Sequence, residues 1–495
     1  MIIRENIKKH DQLSLEIKLE FPFVSKKKRR KRKDNYYVNM FLFLPYALDV
    51  NKHSFTKENF YNSLKTYIRL TTPTYSLQNM LNSENSPLQK LKKAIDDYIN
   101  QPDEDKTDDV EIQVKRFCSI FGTAMRHAGN QILKPKNTEN REKLVDEFTE
   151  QVIQVRESFK ELGNRFNPTG DQEHTRDIIR FADEYQSMLV ERNLFVLLSG
   201  LEKKKNKCSK EKTEKLRNLV LREMNYREEQ GYPSVAYAGR SNEYVLHRAS
   251  RLKKFIESNL FLNTDTKKDG VIFEQIMFAL AAGLAMVFAT GVAFASQMIY
   301  GNLTLPFFIA LVISYMFKDR IKELVRIYLN KKQHKFAQDF RTNIYDQQSK
   351  KIGFLKESFN YVKHRHLPEA ILNARNSIRA TEITKESMGE KIILYRNQIK
   401  IFNKKVKSLN DFSGTTEILR LNISDFTKNM DDPEKEIFVK TKNGFKKGLA
   451  KRSYHLNLIL NYSDGKEEKI KLYKLIVDRN GINRIERFKY NKTTA

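Results

Sequence analysis

Residues Gln275–Phe317 read QIMFALAAGLAMVFATGVAFASQMIYGNLTLPFFIALVISYMF, and these 43 consecutive residues include no Asp, Glu, Lys or Arg. In the chain as a whole, 31% of residues are charged. The turn-forming tripeptide Tyr300-Gly301-Asn302 divides the run into about 25 residues before it and about 15 after it. A bilayer core takes about 20 helical residues, so the first segment is long enough to cross and the second is short. The stretch predicts a two-helix transmembrane hairpin, with a hairpin buried inside a large soluble protein as the alternative.

Small residues recur along the first predicted helix in two rows. Every fourth residue is alanine in one row, and two glycines mark the neighbouring row: Ala281, Ala285, Ala289 and Ala293, beside Gly283 and Gly291. Small side chains let two helices approach closely, so we expect these rows to pack against the second helix or against a second copy of the chain. The alternative is that Ala and Gly are simply frequent in membrane helices.

The residues that border the apolar stretch predict its orientation. Tyr300 at the turn, and Lys318 and Arg320 after the second segment, are expected to anchor the hairpin at the membrane interfaces. Basic residues lie on both sides of the stretch and the turn has no charge, so the positive-inside rule predicts that both termini are cytoplasmic. We expect a bacterial inner-membrane protein. The first residues, MIIRENIKKHDQ, contain no apolar stretch typical of a secretion signal, so attachment is expected from inside the chain.

Hydrophobic periodicity predicts the organisation of the rest of the chain. The predicted fold class is mainly α with a β-rich C-terminal domain (α+β), a helical bundle and the transmembrane hairpin. The predicted regions are an N-terminal β-hairpin with a polybasic loop (1–53), a cytoplasmic helical bundle (54–270), the transmembrane hairpin with a membrane-proximal helix (271–330), a helical connector (331–390) and a β-rich cytoplasmic domain (391–495). Within the bundle, the spacing of Phe60, Leu64, Tyr67 and Ile68 predicts the first helical face.

The chain is strongly basic, with 90 Lys and Arg against 61 Asp and Glu and a net charge of +29. Such an excess favours binding to a polyanion. Its densest cluster is a run of eight basic residues: Lys26, Lys27, Lys28, Arg29, Arg30, Lys31, Arg32 and Lys33. We expect this run to contact anionic lipid head groups, with nucleic-acid phosphates or a solvated loop as the alternatives.

Enzyme and metal signatures are weak in this sequence. Two cysteines cannot form a disulfide framework or a four-cysteine zinc site, and neither Gly-x-Ser-x-Gly nor His-Glu-x-x-His occurs. We therefore predict no catalytic residues, no metal site and no cofactor. The expected role is that of a non-enzymatic, membrane-anchored scaffold, sensor or assembly platform, in which copies of the chain can associate. The alternatives are a membrane-tethered nucleic-acid-binding protein and a membrane-bound hydrolase or nuclease whose site is not visible as a motif.

Overall fold

The chain has a mixed α+β fold, with 52% of its residues in helices and 29% in strands. A computed structural model describes residues 3–23, 34–83, 85–134, 137–165, 173–202, 208–301, 304–333, 338–377, 390–402, 412–442, 444–464, 467–488 and 490. The strands form large antiparallel sheets, so the predicted α+β class is confirmed, whereas the two-helix transmembrane hairpin within it stays a prediction. The chain divides into two compact units, a first of Met1–Tyr67, Asn263–Lys407 and Glu417–Ala495, and a second of Ile68–Leu262 and Ser408–Thr416.

The described strands form three sheets. The four-stranded sheet has the order β1-β2-β9-β4, in which the strands are Arg4–Lys9, Ser14–Pro22, Gly414–Asn422 and Leu64–Thr71. The eight-stranded sheet has the order β14-β13-β12-β3-β8-β7-β6-β5, in which the strands are Gly481–Phe488, Glu468–Asp478, Tyr454–Ser463, Asp34–Leu44, Lys391–Ile401, Lys351–Val362, Phe340–Tyr345 and Asn263–Lys268. The third sheet consists of β10 (Glu434–Thr441) and β11 (Gly444–Lys451).

The two large sheets pack face to face in the first unit. Side chains alternate across a strand, so every second residue faces the space between the sheets. Buried apolar residues from both sheets fill this space: Leu15, Ile17, Leu19, Val38, Met40 and Leu42. The rings of Phe21 and Tyr36, one from each sheet, have their centroids 5.0 Å apart. The first unit is therefore built on a β-sandwich.

A β-hairpin does form within residues 1–53, between β1 and β2, but the predicted pairing of the two strands that flank the polybasic loop is not formed. Both flanking strands are present, but β2 pairs with β1 and β9, whereas β3 lies between β8 and β12 in the other sheet. The reason lies in β3, where Met40 and Leu42 on one face and Phe41 and Phe43 on the other are all buried. A strand that is apolar on both faces needs cover on both sides and occupies the centre of a sheet.

Two stretches predicted as helical form strands. Leu64–Thr71 is β4, which follows the short helix α1 (Lys57–Ser63), and the predicted connector 331–390 contains β6, β7 and the short helix α11 (Glu369–Ser377). In β7 a buried carboxylate, Glu357, takes an inward position between apolar residues, which obscures the period of two in the sequence. Residues 391–495 are β-rich, but their strands are distributed over all three sheets, with β8, β12, β13 and β14 in the eight-stranded sheet beside β3 and β9 in the four-stranded sheet, so they are not a separate domain.

The second unit is a bundle of helices. They are α2 (Leu77–Asn82), α3 (Pro87–Asn100), α4 (Glu104–Ile132), α5 (Thr138–Asn164), α6 (Glu173–Leu201), α7 (Lys210–Glu229) and α8 (Glu243–Glu257). Ser76 and Ser86 cap α2 and α3, because each side-chain oxygen accepts a backbone N–H three residues on. The apolar stripes of α4 and α5 form the core, where the rings of Phe117 and Phe159 stack with centroids 5.6 Å apart.

Two long helices belong to the first unit. They are α9 (Val271–Tyr300) and α10 (Leu305–Gln333), and they connect the edge strand β5 to its neighbour β6. A last helical turn, α12 (Ser424–Thr427), precedes β10. The helices α9 and α10 are thus an insertion into one edge of the sandwich.

Candidate membrane-inserting hairpin

The insertion α9–α10 starts and ends at one place on the sheet. The strands β5 and β6 are antiparallel neighbours, and Lys268 is paired with Phe340. Beyond this pair, the backbone N–H of Asp269 donates to the carbonyl oxygen of Asp339 at 3.2 Å. Gly270 then has a φ of +79°, a conformation that glycine adopts without strain, and the chain turns into α9. The chain consequently leaves the sandwich and returns to it at adjacent positions.

The two helices pack against each other in an antiparallel register. The hydroxyl of Ser314 donates to the carbonyl oxygen of Ala289 at 3.3 Å, and the Arg326 guanidinium lies 4.2 Å from the centre of the Phe278 ring. Both contacts fit a single register, which places Lys318 level with Ala285.

The small residues of α9 divide between the contact face and the outer face. Ala281 and Ala285 are each 1% exposed, Ala289 and Ala293 are half-buried, and Ser296 is buried. By contrast, Gly283 and Gly291 are exposed, and no atom lies within 4 Å of the point where a Cβ would be. The alanine row therefore lies at the helix contact, whereas the predicted glycine row does not.

The outer surface of the hairpin is apolar over most of its length. Met298 is 88% exposed and Ile272 is 79% exposed, and many more large apolar side chains are exposed: Ile276, Leu280, Leu284, Val287, Phe294, Ile299, Leu305, Phe308, Tyr315, Met316 and Phe317. Soluble proteins rarely leave continuous apolar surfaces of this extent in water. Among the described helices, α9 is the one that is long and apolar enough to cross a membrane.

The charged residues of the hairpin lie toward its base. Beyond the level of Lys318 and Ala285, no described residue of either helix is charged up to the turn. At 1.5 Å per residue, this uncharged part is about 20 Å long on α10 and about 22 Å on α9, against about 30 Å for a bilayer core. Lys318 lies with its Nζ 4.1 Å from the centre of the Tyr315 ring, a pair of the kind found at membrane interfaces.

The remaining predicted contact residues are Tyr300, Arg320 and the basic run Lys26–Lys33. Tyr300, at the end of α9, and Arg320, beyond the apolar part of α10, are both exposed. The eight basic residues Lys26–Lys33 lie outside the described residues, so their expected contact with lipid or nucleic acid stays a prediction. The first described residue after them is Asp34, where β3 begins.

A second feature, which the sequence analysis missed, is a pair of buried carboxylates between the two sheets. Glu357 on β7 accepts a hydrogen bond from the Tyr395 hydroxyl, and Glu417 on β9 accepts one from the Asn397 side-chain amide. Glu417 Oε2 and Asn397 Oδ1 are buried, and neither has a hydrogen-bond partner among the described residues. The sequence signal is a glutamate at an inward-facing position of an apolar strand, as in the alternation Thr415, Glu417, Leu419.

The surroundings of these carboxylates favour their neutral forms. Burial, together with the charge of Glu357, raises the pKa of Glu417 to about 8. Burial likewise raises the pKa of Glu357. A protonated Glu417 gains an O–H donor at Oε2, whereas an ionised one has only acceptors. The arrangement can therefore store a proton inside the sandwich at neutral pH.

We expect the stability of the first unit to fall as the pH rises from about 4.5 to about 8. Over this interval the folded state keeps the Glu417 proton that the unfolded state releases, and a single such group changes the unfolding free energy by up to about 1.4 kcal/mol per pH unit. Glu417→Gln should remove this slope and raise the thermal midpoint at pH 8, while leaving it nearly unchanged at pH 4.5.

Glu16→Gln is a control for the same measurement, because the pKa of Glu16 is shifted in the opposite direction to that of Glu417. Glu16 is buried, but Lys8 and Arg420 lie 3.1 and 2.9 Å from its carboxylate oxygens and keep its pKa below the ordinary value. This variant should therefore lose stability at neutral pH. A thermal midpoint of Glu417→Gln that follows the parent at every pH would show that Glu417 is ionised in the fold.

The second unit has a buried ionic centre in which every charge is paired. Arg156 lies 2.8 Å from Asp183 and 3.2 Å from Glu223, and the hydroxyls of Tyr226 and Tyr232 donate to Asp183 at 2.7 and 3.0 Å. All five side chains belong to the helical bundle or the segment that follows α7. The complete pairing of these groups indicates a structural role in joining α5, α6 and α7.

Comparisons with known proteins give no match from which a function could be inferred. No family model, curated protein or solved structure matches this chain. Within the described ranges, no three His, Cys, Asp or Glu side chains are grouped so that they could hold a metal ion. The exposed apolar hairpin is therefore the feature from which a function is inferred.

Proposed function

We propose that this chain is an integral membrane protein whose α9–α10 hairpin crosses the bilayer and holds the remainder of the chain at one membrane face. The observation that carries the proposal is the apolar outer surface of the hairpin, exposed on both helices. Transfer of such surface from water to hydrocarbon gains about 25 cal/mol per Å². With roughly twenty large side chains involved, the gain is on the order of tens of kcal/mol.

The pairing of β5 with β6 supports a topology in which both termini share one compartment. Because these neighbouring strands hold both ends of the hairpin, the chain enters and leaves the membrane at the same face. Basic residues at both ends favour the cytoplasmic face of an inner membrane. The uncharged part of the hairpin is shorter than the bilayer core by about 8 to 10 Å, which the Lys318 stem and local thinning accommodate at a modest energetic cost.

The role we propose is that of a non-enzymatic membrane-anchored scaffold, sensor or assembly platform. Two helices without a charge in their apolar part offer no path for a polar substrate. The hairpin leaves the large sandwich and the helical bundle available as binding surfaces. Anionic lipid is the expected partner of the basic excess, since the cytoplasmic leaflet attracts Lys and Arg near its surface.

Extraction of membranes at alkaline pH tests the proposal. We expect the full-length protein to stay in the membrane pellet after carbonate treatment, because its attachment is hydrophobic and not ionic. Tags at the two termini should both resist protease added to intact spheroplasts and both be cleaved after the inner membrane is permeabilised. Release of the intact protein by carbonate, or protease sensitivity of one tag alone in intact spheroplasts, would contradict the proposal.

A further inference from the structure

The strands β10 and β11 form an arm that is separate from both large sheets. All eight residues of β10 are exposed, as are most of those of β11. At its base, the Arg452 N–H donates to the carbonyl oxygen of Pro433 at 2.8 Å, and Arg452 forms an ion pair with Asp431 at 2.6 Å. An isolated two-stranded hairpin is marginally stable in water. In this arm the contacts of Arg452 hold the base, while both faces of the two strands are exposed.

One face of the arm combines aromatic and cationic side chains. The register pairs Phe438 with Lys447 and Lys440 with Phe445, which places all four on the same face. The two phenylalanine rings are in edge contact, with centroids 5.0 Å apart, and they are 70% and 73% exposed. Leu449, on the same face, is also exposed. This aromatic pair is held in place without being covered.

The charges of the arm are distributed unevenly along its length. Glu434–Lys451 contains six lysines and two glutamates, a net charge of +4. Both glutamates lie in the half near the base, whereas the half near the turn has lysines only: Lys440, Lys442, Lys446 and Lys447. An anionic surface attracts such a tip with about 1 kcal/mol per basic residue. A second copy of the arm, with the same charge, would be repelled.

The arm is connected to the end of the eight-stranded sheet toward which β5 runs before the α9–α10 hairpin begins. The pairing of Asn457 with Phe43 shows that β12, which follows the arm, begins where β3 finishes. The registers of β5 to β8 show that β5 runs toward this same end before α9 begins, with its last residue, Lys268, level with Val38 in the middle of β3. By contrast, Asp34, which follows the basic run, is at the opposite end of β3.

We propose that the β10–β11 arm is a second membrane contact, in which Phe438 and Phe445 enter the interface of an anionic bilayer and the tip lysines bind lipid phosphates. The inference rests on the proposed function to the extent that the hairpin holds the arm beside a bilayer. Phenylalanine rings on an interfacial surface insert at the boundary between head groups and acyl chains, and lysine stems let their ammonium groups remain among the phosphates. In the membrane the two phenylalanine rings, which are exposed in water, are then surrounded by lipid.

The absence of tryptophan from the sequence allows a direct test. Phe445→Trp gives the full-length protein a single tryptophan, and this variant is reconstituted in vesicles of phosphatidylcholine with or without phosphatidylglycerol. In anionic vesicles we expect emission shifted to shorter wavelength, quenching by brominated lipid and loss of quenching by iodide. Adding Lys440→Gln, Lys446→Gln and Lys447→Gln should reverse all three changes. Phe195→Trp, at a position on α6 that is 70% exposed, is the control and should remain accessible to iodide.

The outcomes separate this inference from the proposed function. Release of the protein by carbonate would contradict the hairpin proposal. If the protein is retained in the pellet, but the tryptophan emission of the Phe445→Trp variant is the same in both vesicle types and is quenched by iodide, only the arm inference is overturned. A shift that depends on protein concentration in detergent would identify a second copy as the occupant and overturn it. A shift produced by single-stranded oligonucleotide but not by anionic vesicles would overturn it in favour of nucleic acid.

Discussion

Replacing Gly270–Gln338 by Asn-Gly should transfer the protein from the carbonate-resistant pellet to the soluble fraction. The replacement removes both long helices and joins Asp269 to Asp339, whose backbones are already hydrogen-bonded across the two strands. Asn-Gly favours the two-residue turn that connects antiparallel neighbours, so β5 and β6 become an ordinary β-hairpin. With the apolar surface gone, the hydrophobic gain of membrane insertion is lost entirely.

The control for this replacement keeps the hairpin and changes its charges. Lys318→Gln with Arg320→Gln leaves the apolar surface intact, so this variant should stay in the pellet. Because aggregated protein also sediments, the shortened chain is first shown to be monomeric by size-exclusion chromatography without detergent. A monomeric, folded, shortened chain that still resists carbonate would show that the anchor lies elsewhere.

Arg156→Met should destabilise the helical bundle by about 3–5 kcal/mol, the usual effect of removing one partner from a buried ionic group. The substitution preserves an unbranched side chain of similar length but leaves Asp183 and Glu223 without their buried cation. Asp183 keeps the hydrogen bonds from Tyr226 and Tyr232. Glu223 loses the guanidinium that neutralises it, so its charge accounts for much of the effect. Native-state hydrogen exchange of the α6 amides measures the change in opening free energy.

Two control variants distinguish the loss of a buried charge partner from the loss of packing: Arg222→Met at the surface, and Arg156→Met combined with Glu223→Leu. Arg222 forms an ion pair with Glu157 at 2.8 Å, but both side chains are about half exposed. Arg222→Met should therefore change the opening free energy by no more than about 1 kcal/mol. Arg156→Met combined with Glu223→Leu should be less destabilised than Arg156→Met alone. A double variant as unstable as the sum of its single changes would attribute the loss to packing.

The sequence was most informative where one physical requirement dominates. The uncharged run Gln275–Phe317 and its turn predicted two helices, and the structure has α9 ending at Tyr300 and α10 beginning at Leu305. Their passage through a bilayer stays a prediction. In the bundle, the three- and four-residue spacing of apolar residues in the sequence coincides with faces that are buried, such as that of Phe117 and Phe121 in α4. Periodicity succeeds there because each helix buries a single stripe.

The sequence was least informative where the fold depends on contacts between distant residues. The alternation of apolar and polar residues in β2 is visible in the sequence, but its partner strand is not, because a register is fixed by the opposing surface. Glu357 and Glu417 interrupt the apolar pattern of their strands, since each is buried with an amide or hydroxyl donor from β8. Such pairing between strands is not encoded in any local spacing. The arm was missed for the same reason, because its isolation from the large sheets is visible only in three dimensions.

The position of β3 in the eight-stranded sheet has a consequence for biosynthesis. Its two neighbours, β8 and β12, begin at Lys391 and Tyr454, so the strand leaves the ribosome long before either exists. At about 5–20 residues per second, the wait for β12 is on the order of 20 to 80 seconds. During that time an apolar strand stays unpaired and prone to aggregation. The α9–α10 segment emerges before β8 and β12, so the insertion proposed above would tether the nascent chain at the bilayer before the sheet closes.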